Sequence, residues 1–388
     1  MSKNCKIRDL FSRFSSGNSI SSTNIIPSGS FPVYGGNGLR GYTNIHNFDG
    51  ECVIIGRQGA YCGNVKYFSG KGYMTEHAIV GVANELNNSR FLSYKLSLMN
   101  LGRYAGQSAQ PGLSVETLLD VDIDIPDKIT QDRIAFVLSQ IDEKIENNNA
   151  IIAKLDEMAK LIYDYWFVQF DFPDENGRPY KSSGGKMMWN EELKREIPEG
   201  WKSSVLSDIT YYSENRIEAC KLNANNYVGT DNLLQNMRGK ANSQYVPSDG
   251  YAIAFSVGDC LLSNIRPYFK KIWLSDIDGG CSSDVLCIKS KKECLSSYVY
   301  NTCARDDFFA YDMQGSKGSK MPRGDKQHIM NYPIAFNLDY ASLYSKRVIS
   351  LHTMMNRLRN ESEELSKLRD FLLPLLINGQ VKIINDNA

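Results

Sequence analysis

Two long segments of the chain, 129–170 and 339–380, repeat apolar residues with a heptad-like spacing. In each segment the apolar residues recur in alternating steps of four and three. This corresponds to the period of about 3.5 residues that is typical of a coiled-coil seam, sustained here over about four heptads. The spacing predicts two long amphipathic helices, and it constrains the fold more than any other feature of the sequence.

The two predicted seams match each other position by position, and each contains one polar residue at the same place, Asn148 in the first and Glu361 in the second. A polar seam residue lowers stability but can specify register or orientation. The match therefore favours two helices that pack against each other, whereas the alternative is two amphipathic helices on separate cores. The residues of the predicted interface are Ile141, Ile145, Asn148, Ile152, Leu155, Met354, Leu358, Glu361, Leu365 and Leu368.

The regions that precede the two helices also resemble each other. Gly50–Arg57 and Gly258–Ile265 are each typical of a turn followed by a buried strand. Residues 121–125 and 332–336 each have the alternating pattern of a half-buried strand, and each lies shortly before the start of a helix. The chain is therefore predicted to be an α+β protein with an internal repeat, in which a mixed domain and a long helix occur twice.

This organisation predicts domain boundaries and helix caps. Thr130 and Asp339 are the predicted N-caps, because short polar side chains accept hydrogen bonds from the first helical turn. The segment between the two halves is rich in Gly, Pro and Ser, as is typical of a linker. The predicted regions are a first mixed domain 1–128, a central helix 129–170, a linker 171–196, a second mixed domain 197–338, a distal helix 339–380 and a tail 381–388.

Gly36, Gly38 and Gly41 have the G-x-G-x-x-G spacing of a dinucleotide-binding turn. Such a turn requires a following helix, whose N-terminal N–H groups bind the pyrophosphate. The residues after Gly41 have no helical period and the next apolar run predicts a strand, so a tight glycine turn is favoured over a nucleotide site.

Composition excludes several other classes. The chain of 388 residues has 44 basic and 44 acidic side chains, with the acidic residues concentrated in 129–180. No apolar run approaches the about 18 residues of a membrane helix, and the N-terminus lacks the apolar core of a signal peptide. The 9 cysteines and 4 histidines show no metal-ligand spacing. A cytoplasmic protein with reduced thiols and no metal is expected.

Five stretches of the chain carry a resemblance to a known family: 32–38, 130–148, 159–185, 197–201 and 227–232. Residues 130–148 are similar to the first long helix of type I restriction–modification specificity subunits, and 159–185 continue the central region of that family. Residues 197–201 resemble its usual entry to a second target-recognition domain. Residues 32–38 and 227–232 resemble a turn that recurs in its recognition domains. The resemblance covers nearly the whole chain, and it identifies the chain as a full-length member with two target-recognition domains.

The resemblance implies a non-catalytic DNA-reading subunit for defence against foreign DNA. Each recognition domain would read one half of a split, asymmetric site in double-stranded DNA, and the long helices would pair antiparallel with pseudo-twofold symmetry. The implied partners are two methyltransferase subunits and the restriction or translocase subunits. S-adenosylmethionine, ATP and Mg are expected on those partners and no cofactor on this chain. A helix of about 38 residues is roughly 57 Å long, enough to set two readers between one and two DNA turns apart.

Polar loops after the predicted strands supply the candidate DNA contacts. Arg and Gln can make bidentate contacts to guanine and adenine edges, whereas Lys more often contacts phosphate. The glutamine-rich loop of the first half is thus the better base-reading candidate, and the lysine-rich loop of the second half is expected to contact phosphate. The predicted DNA-binding residues are Arg57, Gln58, Tyr61, Arg103, Gln107, Gln110, Arg266, Tyr268, Lys270, Lys271, Lys317, Lys320 and Arg323.

Catalysis by this chain is not expected. Residues 331–334 have one proline where the Asn-Pro-Pro-aromatic motif of amino-methyltransferases has two. There is no Walker loop and no nucleophile elbow. Three alternatives to the leading hypothesis stay open at this point: a specificity subunit for a fused methyltransferase–nuclease, a coiled-coil scaffold without a DNA role, and a nucleotide-dependent oxidoreductase that depends on the glycine turn alone.

Overall fold

A computed structural model describes residues 3–106 and 112–383, apart from the side chain of Ala60. The chain divides into two compact units, of which the first comprises Met1–Asn147 with Ser362–Ala388 and the second comprises Asn148–Glu361. Strands and helices occur in both units, so the predicted α+β class is confirmed.

The first unit is built around one six-stranded sheet with the strand order β2–β7–β5–β6–β3–β4. Neighbouring strands are antiparallel except β3 and β6, which are parallel. A separate antiparallel pair joins β1 to β8. The strands are β1 Lys3–Lys6, β2 Phe11–Ser16, β3 Phe31–Gly35, β4 Gly38–Thr43, β5 Phe48–Gly56, β6 Val65–Met74, β7 Ala78–Ala83 and β8 Asp122–Ile125, and the short helices are α1 Ser89–Ser97 and α2 Val115–Leu119.

Helix α1 covers one face of this sheet. Asn88 caps it by accepting a hydrogen bond from the backbone N–H of Phe91 at 2.9 Å. The helix buries Phe91, Leu92 and Leu96 against Val53 and other residues of the central strands. Because β5 and β7 are covered on both faces, their apolar residues run continuously rather than alternating.

The second unit contains two main sheets, with the strand orders β12–β19–β16–β17 and β13–β15–β18–β14. Two antiparallel pairs, β9–β10 and β11–β20, complete it. The strands are β9 Met187–Asn190, β10 Arg195–Pro198, β11 Lys202–Val205, β12 Thr210–Tyr212, β13 Arg216–Glu218, β14 Tyr227–Val228, β15 Tyr251–Phe255, β16 Cys260–Ser263, β17 Ile272–Leu274, β18 Gly279–Cys281, β19 Val285–Ser290 and β20 Pro333–Phe336.

The two long predicted helices are present as α3 Lys128–Tyr163 and α8 Leu338–Ile377. A π-helical turn, Asp164–Val168, follows α3. The remaining helices are α4 Leu206–Ile209, α5 Ser296–Cys303, α6 Asp306–Gly315 and α7 Lys326–Met330.

The predicted caps of the long helices were wrong. Asp127 accepts the hydrogen bond from the backbone N–H of Thr130 at 3.0 Å, and Asn337 accepts that of Asp339 at 3.0 Å. Each predicted cap therefore lies inside the first helical turn. Two short polar residues occur within three positions at both starts, and only the backbone angles decide which of them lies outside the helix.

The long helices contact each other within each unit. In the first unit the guanidinium of Arg369 lies 3.1 Å from the carboxylate of Asp142. In the second, Asn148 donates to Oε2 of Glu361 at 2.9 Å, and the hydroxyl of Tyr344 donates to the carbonyl of Ala159 at 3.0 Å. The partner number falls as the α3 number rises, so the helices run antiparallel.

The seam differs from the predicted heptads at two positions. Met354 is 43% exposed and Leu368 is 46% exposed, whereas Met355 is 1% exposed. An α-helix advances 3.6 rather than 3.5 residues per turn, so a buried stripe drifts across a strict heptad pattern over many turns. Of the other predicted interface residues, Asn148 and Leu358 are buried, Glu361 is exposed, and the rest are half-buried: Ile141, Ile145, Ile152, Leu155 and Leu365.

The segment 171–196 is folded within the second unit. Phe172 is buried, and its ring stacks on that of Trp201 with centroids 5.0 Å apart. Asp171 accepts a hydrogen bond from the backbone N–H of Ser182 at 2.7 Å, and β9–β10 forms a hairpin. Composition predicted a linker, but aromatic packing gives this segment a defined structure.

Candidate nucleic-acid interface

The glycine turn of the first unit joins β3 to β4 in a hairpin, and no helix follows it among the described residues. Gly38 has a φ of 92° and Gly41 a φ of 147°, backbone conformations that favour glycine. Without a following helix, the N–H groups that bind a pyrophosphate are not gathered there. The dinucleotide alternative is therefore unsupported.

Close backbone approaches attach this turn to the end of β5. A Cβ on Gly56 would lie 2.5 Å from the carbonyl oxygen of Gly36, and a Cβ on Gly36 would lie 2.9 Å from the carbonyl oxygen of His77. The backbone N–H of Arg57 donates to the same His77 carbonyl at 3.0 Å. The glycines therefore allow the turn and the loops before β6 and β7 to meet at one place.

The structure brings Arg57, Gln58 and Tyr61 to this place. Arg57 is partly committed to the fold, since its guanidinium donates to Oγ of Ser16 at 3.2 Å and to the carbonyl of Leu113 at 3.4 Å. Tyr61 is exposed. Gln58 is also exposed.

A short polar chain orients Gln58. The side-chain oxygen of Gln58 lies 3.0 Å from Nδ1 of His77, and Nε2 of His77 lies 3.3 Å from the carboxylate of Glu76. Glutamine can both donate to and accept from a base edge, and these contacts restrict its orientation.

Arg103 belongs to the neighbouring loop. A Cβ on Gly63 would overlap the backbone N of Gly102, which brings the loop after β5 against the turn that carries Arg103. The Arg103 guanidinium lies over the ring of Tyr104 at 4.7 Å. The predicted residues Gln107 and Gln110 lie in 107–111, outside the described residues, between Gly106 and Gly112.

In the second unit the structure joins the two predicted loops, 264–271 and 316–324. The backbone N–H of Arg266 donates to the carbonyl of Pro322 at 2.8 Å, and that of Gly324 donates to the carbonyl of Asn264 at 3.1 Å. Lys317 and Arg323 exchange backbone hydrogen bonds at 2.9 and 3.0 Å. Arg266, Lys317 and Arg323 are therefore carried by one pair of connected loops.

The cations of these loops differ in how they are held. Lys317 lies 2.8 Å from Asp325. The hydrogen bond from Lys317 is the main cause that lowers the pKa of the Asp325 carboxyl to about 2. Arg323 lies 3.3 Å from Asp284. Lys317, Arg323 and Lys320 are nevertheless exposed and can reach a phosphate.

Two other predicted cations face the protein. Lys270 pairs with Asp306 at 2.7 Å, and Lys271 donates to the carbonyl of Thr230. Burial lowers the pKa of Lys271. These two lysines therefore stabilise the loop and are weaker candidates for DNA contact, whereas Tyr268 beside them is exposed.

Two residues that support these loops were not predicted: Ser16, which accepts from the Arg57 guanidinium, and Asn264, whose carbonyl accepts from the N–H of Gly324. Each acts by contact with a residue distant in the sequence, and neither has a local pattern that marks it. Within residues 3–106 and 112–383 there is no cluster of three potential metal ligands. In the same residues, no helix has both the length and the apolar character for spanning a bilayer.

The chain is similar to proteins of one family in several comparisons. Residues 2–157 match the family described as the type I restriction modification DNA specificity domain. The type I restriction enzyme EcoprrI specificity subunit of Escherichia coli is 43% identical over 130 residues, covering 32% of this chain and 32% of that protein. The MjaIX specificity subunit of Methanocaldococcus jannaschii is 33% identical over 125 residues, covering 31% and 27%. The matches thus span about a third of these relatives' length.

The fold has a counterpart among solved structures. The S subunit of a type I restriction-modification system from M. genitalium is similar over 97% of this chain and 96% of that one, with a TM-score of 0.64 and 15% sequence identity. At this identity the similarity shows a shared fold along nearly the whole chain.

Proposed function

Because the chain belongs to the family of type I restriction–modification specificity subunits, we propose that it directs such a complex to its DNA sequence. Each unit would read one half of a bipartite, asymmetric site in double-stranded DNA. The chain itself would carry out no catalysis and bind no cofactor, and it would act in the cytoplasm.

The grouping of polar and cationic side chains on connected loops in each unit supports this proposal most directly. In the first unit, glycine contacts place exposed Gln58 beside Arg57 and Tyr61. In the second, backbone hydrogen bonds place Arg266 with Lys317 and Arg323. Phosphate contacts supply affinity and base-edge contacts supply sequence preference, so these sets have the composition that a DNA reader requires.

Exposed apolar side chains at repeated positions on the long helices support the binding of two copies of one partner. Asn148 and Glu361 occupy equivalent positions 213 residues apart. At the same spacing Phe136 corresponds to Ile349, and Met158 to Phe371, and all four side chains are exposed. Exposed large apolar side chains often mark interaction surfaces. Methyltransferase subunits are the proposed occupants of these repeated positions, with the restriction or translocase subunits completing the complex.

Mapping of methylated adenines at single-molecule resolution, in cells with and without this gene, tests the function. We expect one bipartite motif to lose methylation when the gene is absent. An unchanged methylation map would contradict the proposal.

Substitution of Gln58 by Ala, and separately of Gln107 and Gln110 by Ala, tests the reading residues. We expect relaxed preference in one half of the motif with intact assembly of the methyltransferase complex. Leu86→Ala is a matched control, because Leu86 is exposed elsewhere in the same unit. Unchanged methylation of the same sites would remove the substituted residues from the interface.

A further inference from the structure

Asp312 of α6 lies beneath the connected loops of the second unit. It is 0% exposed, and neither of its carboxyl oxygens has a hydrogen-bond partner among the described groups. An ionised carboxylate is rarely buried without a donor, because the lost hydration is not replaced. The protonation state of this side chain therefore requires an explanation.

The side-chain oxygen of Asn264 lies close to this carboxyl group. A Cβ on Gly324 would overlap Oδ1 of Asp312 and would lie 2.9 Å from Oδ1 of Asn264. Both oxygens thus lie against the same glycine. The Asn264 oxygen is also buried and lacks a partner. Two buried acceptors beside the same glycine are both satisfied when the carboxyl group carries a proton, since a neutral carboxyl group has an O–H to donate.

We propose that Asp312 is a positioning residue that is protonated in the folded unit and donates its O–H to Oδ1 of Asn264, holding loop 264–271 in place for DNA contact. This inference depends on the proposed function. It adds that the second unit reads DNA only when Asp312 is protonated.

The backbone connects this hydrogen bond to the DNA-facing residues. The carbonyl of Asn264 accepts from the N–H of Gly324 at 3.1 Å, and the N–H of Arg266 donates to Pro322 at 2.8 Å. Arg266 has a φ of 53°, a conformation that a non-glycine residue adopts at a cost. Loss of the Asp312 contact would release Asn264, and the strained Arg266 two residues later would move with it.

The surroundings of Asp312 favour the neutral acid. Burial raises the pKa of Asp312 to about 7, and the charge of His328 opposes this increase. Tyr212 of β12 also lies within the range of the Asp312 charge. Titratable side chains on the other elements packed against α6 include Tyr268 and Lys270 before β17, Tyr298, Tyr300 and Cys303 on α5, Lys326 on α7, and Tyr332 before β20.

The predicted consequence has a definite sign. The pKa of Asp312 in the folded state is above the ordinary value for Asp, so the folded state binds this proton more tightly than the unfolded chain does. The stabilisation that the protonated carboxyl group supplies is therefore lost as the pH rises through about 7. Specific DNA affinity should fall about tenfold between pH 6 and pH 8 for one proton with a pKa of about 7.

The test uses the full chain in complex with its methyltransferase subunits. Binding to a duplex that carries the mapped motif is measured against a scrambled duplex from pH 6 to pH 8. Asp312→Asn supplies an amide donor without a titration, so we expect affinity close to that of the unsubstituted chain at pH 6 and no excess loss at pH 8. Asp312→Ala should bind weakly at both values, and Asp124→Asn, at an exposed acid of the first unit, should keep the original pH profile.

Hydrogen exchange of the unbound chain separates positioning from misfolding. In Asp312→Ala, loop 264–271 should exchange faster while β16 and β19 remain protected. The inference is overturned if the unsubstituted chain and Asp312→Asn have the same pH profile, or if Asp312→Asn binds as weakly as Asp312→Ala at pH 6. Absence of any motif preference in the unsubstituted complex at pH 6 would instead contradict the proposed function.

Discussion

The two units share a set of strands in the same order and differ in what is added to it. The order β2–β7–β5–β6 of the first unit corresponds to β12–β19–β16–β17 of the second. In both, the strand just before this set in the chain pairs antiparallel with the strand that precedes a long helix, β1 with β8 and β11 with β20. The first unit extends its sheet with the β3–β4 hairpin, whereas the second places β13, β14, β15 and β18 in a separate sheet. A repeated frame can thus carry different surfaces.

The units also differ in how they support their polar loops. In the first, backbone segments meet at glycines such as Gly36 and Gly56, where a side chain would not fit. In the second, a buried acid lies against Gly324 behind the loops. The first arrangement depends on shape alone, whereas the second depends on shape and protonation. The two halves of one DNA site would therefore respond differently to the same change of conditions.

The largest expected effects come from the two cores. Phe91 in the first unit and Phe308 in the second are fully buried, and replacement of either by Ala should lower the free energy of unfolding of its own unit by about 3–5 kcal/mol. Hydrogen exchange should show lost protection in the unit that carries the substitution. Equal loss of protection in both units after Phe91→Ala would show that they unfold together.

Acid should affect the helix pair of the second unit more than that of the first. Burial lowers the pKa of His352 to about 4, with the charge of Arg359 as a further cause. Because this pKa is below the ordinary value, stability is lost as the pH falls from about 6.5 toward 4, by up to roughly 3 kcal/mol. Ser139 occupies the equivalent position in the first unit, at the spacing of 213 residues.

His352→Asn should remove this acid sensitivity of the second unit. The measurement is the free energy of unfolding at pH 7 and pH 4.5 with and without the substitution. Ser139→Asn, a polar replacement at the equivalent position, is the matched control. A slope that His352→Asn leaves unchanged would assign the sensitivity to other groups.

The next expected effect is a loss of stability in Gly56→Ala, which depends only on the space around Gly56. Gly56→Ala would place a Cβ 2.5 Å from the Gly36 carbonyl oxygen, so we expect a loss of about 1–3 kcal/mol from overpacking. Gly106→Ala is the control, because its added Cβ has nothing within 4 Å in the described part of the chain beyond its sequence neighbours. Thermal unfolding of both variants checks the difference, and equal stability would mean that the hairpin turn moves away without cost.

The smallest expected effect separates exposed from committed lysines in the second unit. Lys320→Ala should reduce the slope of log affinity against log salt by about 1, because one phosphate contact is lost. Lys270→Ala should leave that slope unchanged, since Lys270 pairs with Asp306. DNA-binding titrations at several salt concentrations measure both slopes, and equal changes would mean that Lys270 leaves Asp306 to bind phosphate.

Local patterns predicted the elements that depend on local physics. The helical period identified α3 and α8, because burying one stripe of a helix requires apolar residues at that period whatever covers them. Alternation identified β8 and β20. Candidate DNA contacts of the first unit were predicted in the loops after the strands, and their contact with DNA stays a prediction.

Contacts between distant residues could not be predicted in this way. The heptad placed Met354 in the seam, but the drift of the helix buries Met355. Lys270 and Lys271 were predicted as DNA contacts from the sequence, but Lys270 pairs with Asp306 and Lys271 donates to the carbonyl of Thr230. Charge counts in a loop do not reveal which cations are already paired.

The sequence by itself determined that this chain has a repeated plan with two long amphipathic helices, because periodicity is a property of neighbouring residues. Only the tertiary structure decided which loops meet, which cations remain exposed and where an acid is buried. Those properties arise when segments far apart in the chain exclude water together. In the sequence Asp312 is one acidic residue among many. It becomes a buried acid only because α6 packs against Gly324 and Asn264 in the folded unit.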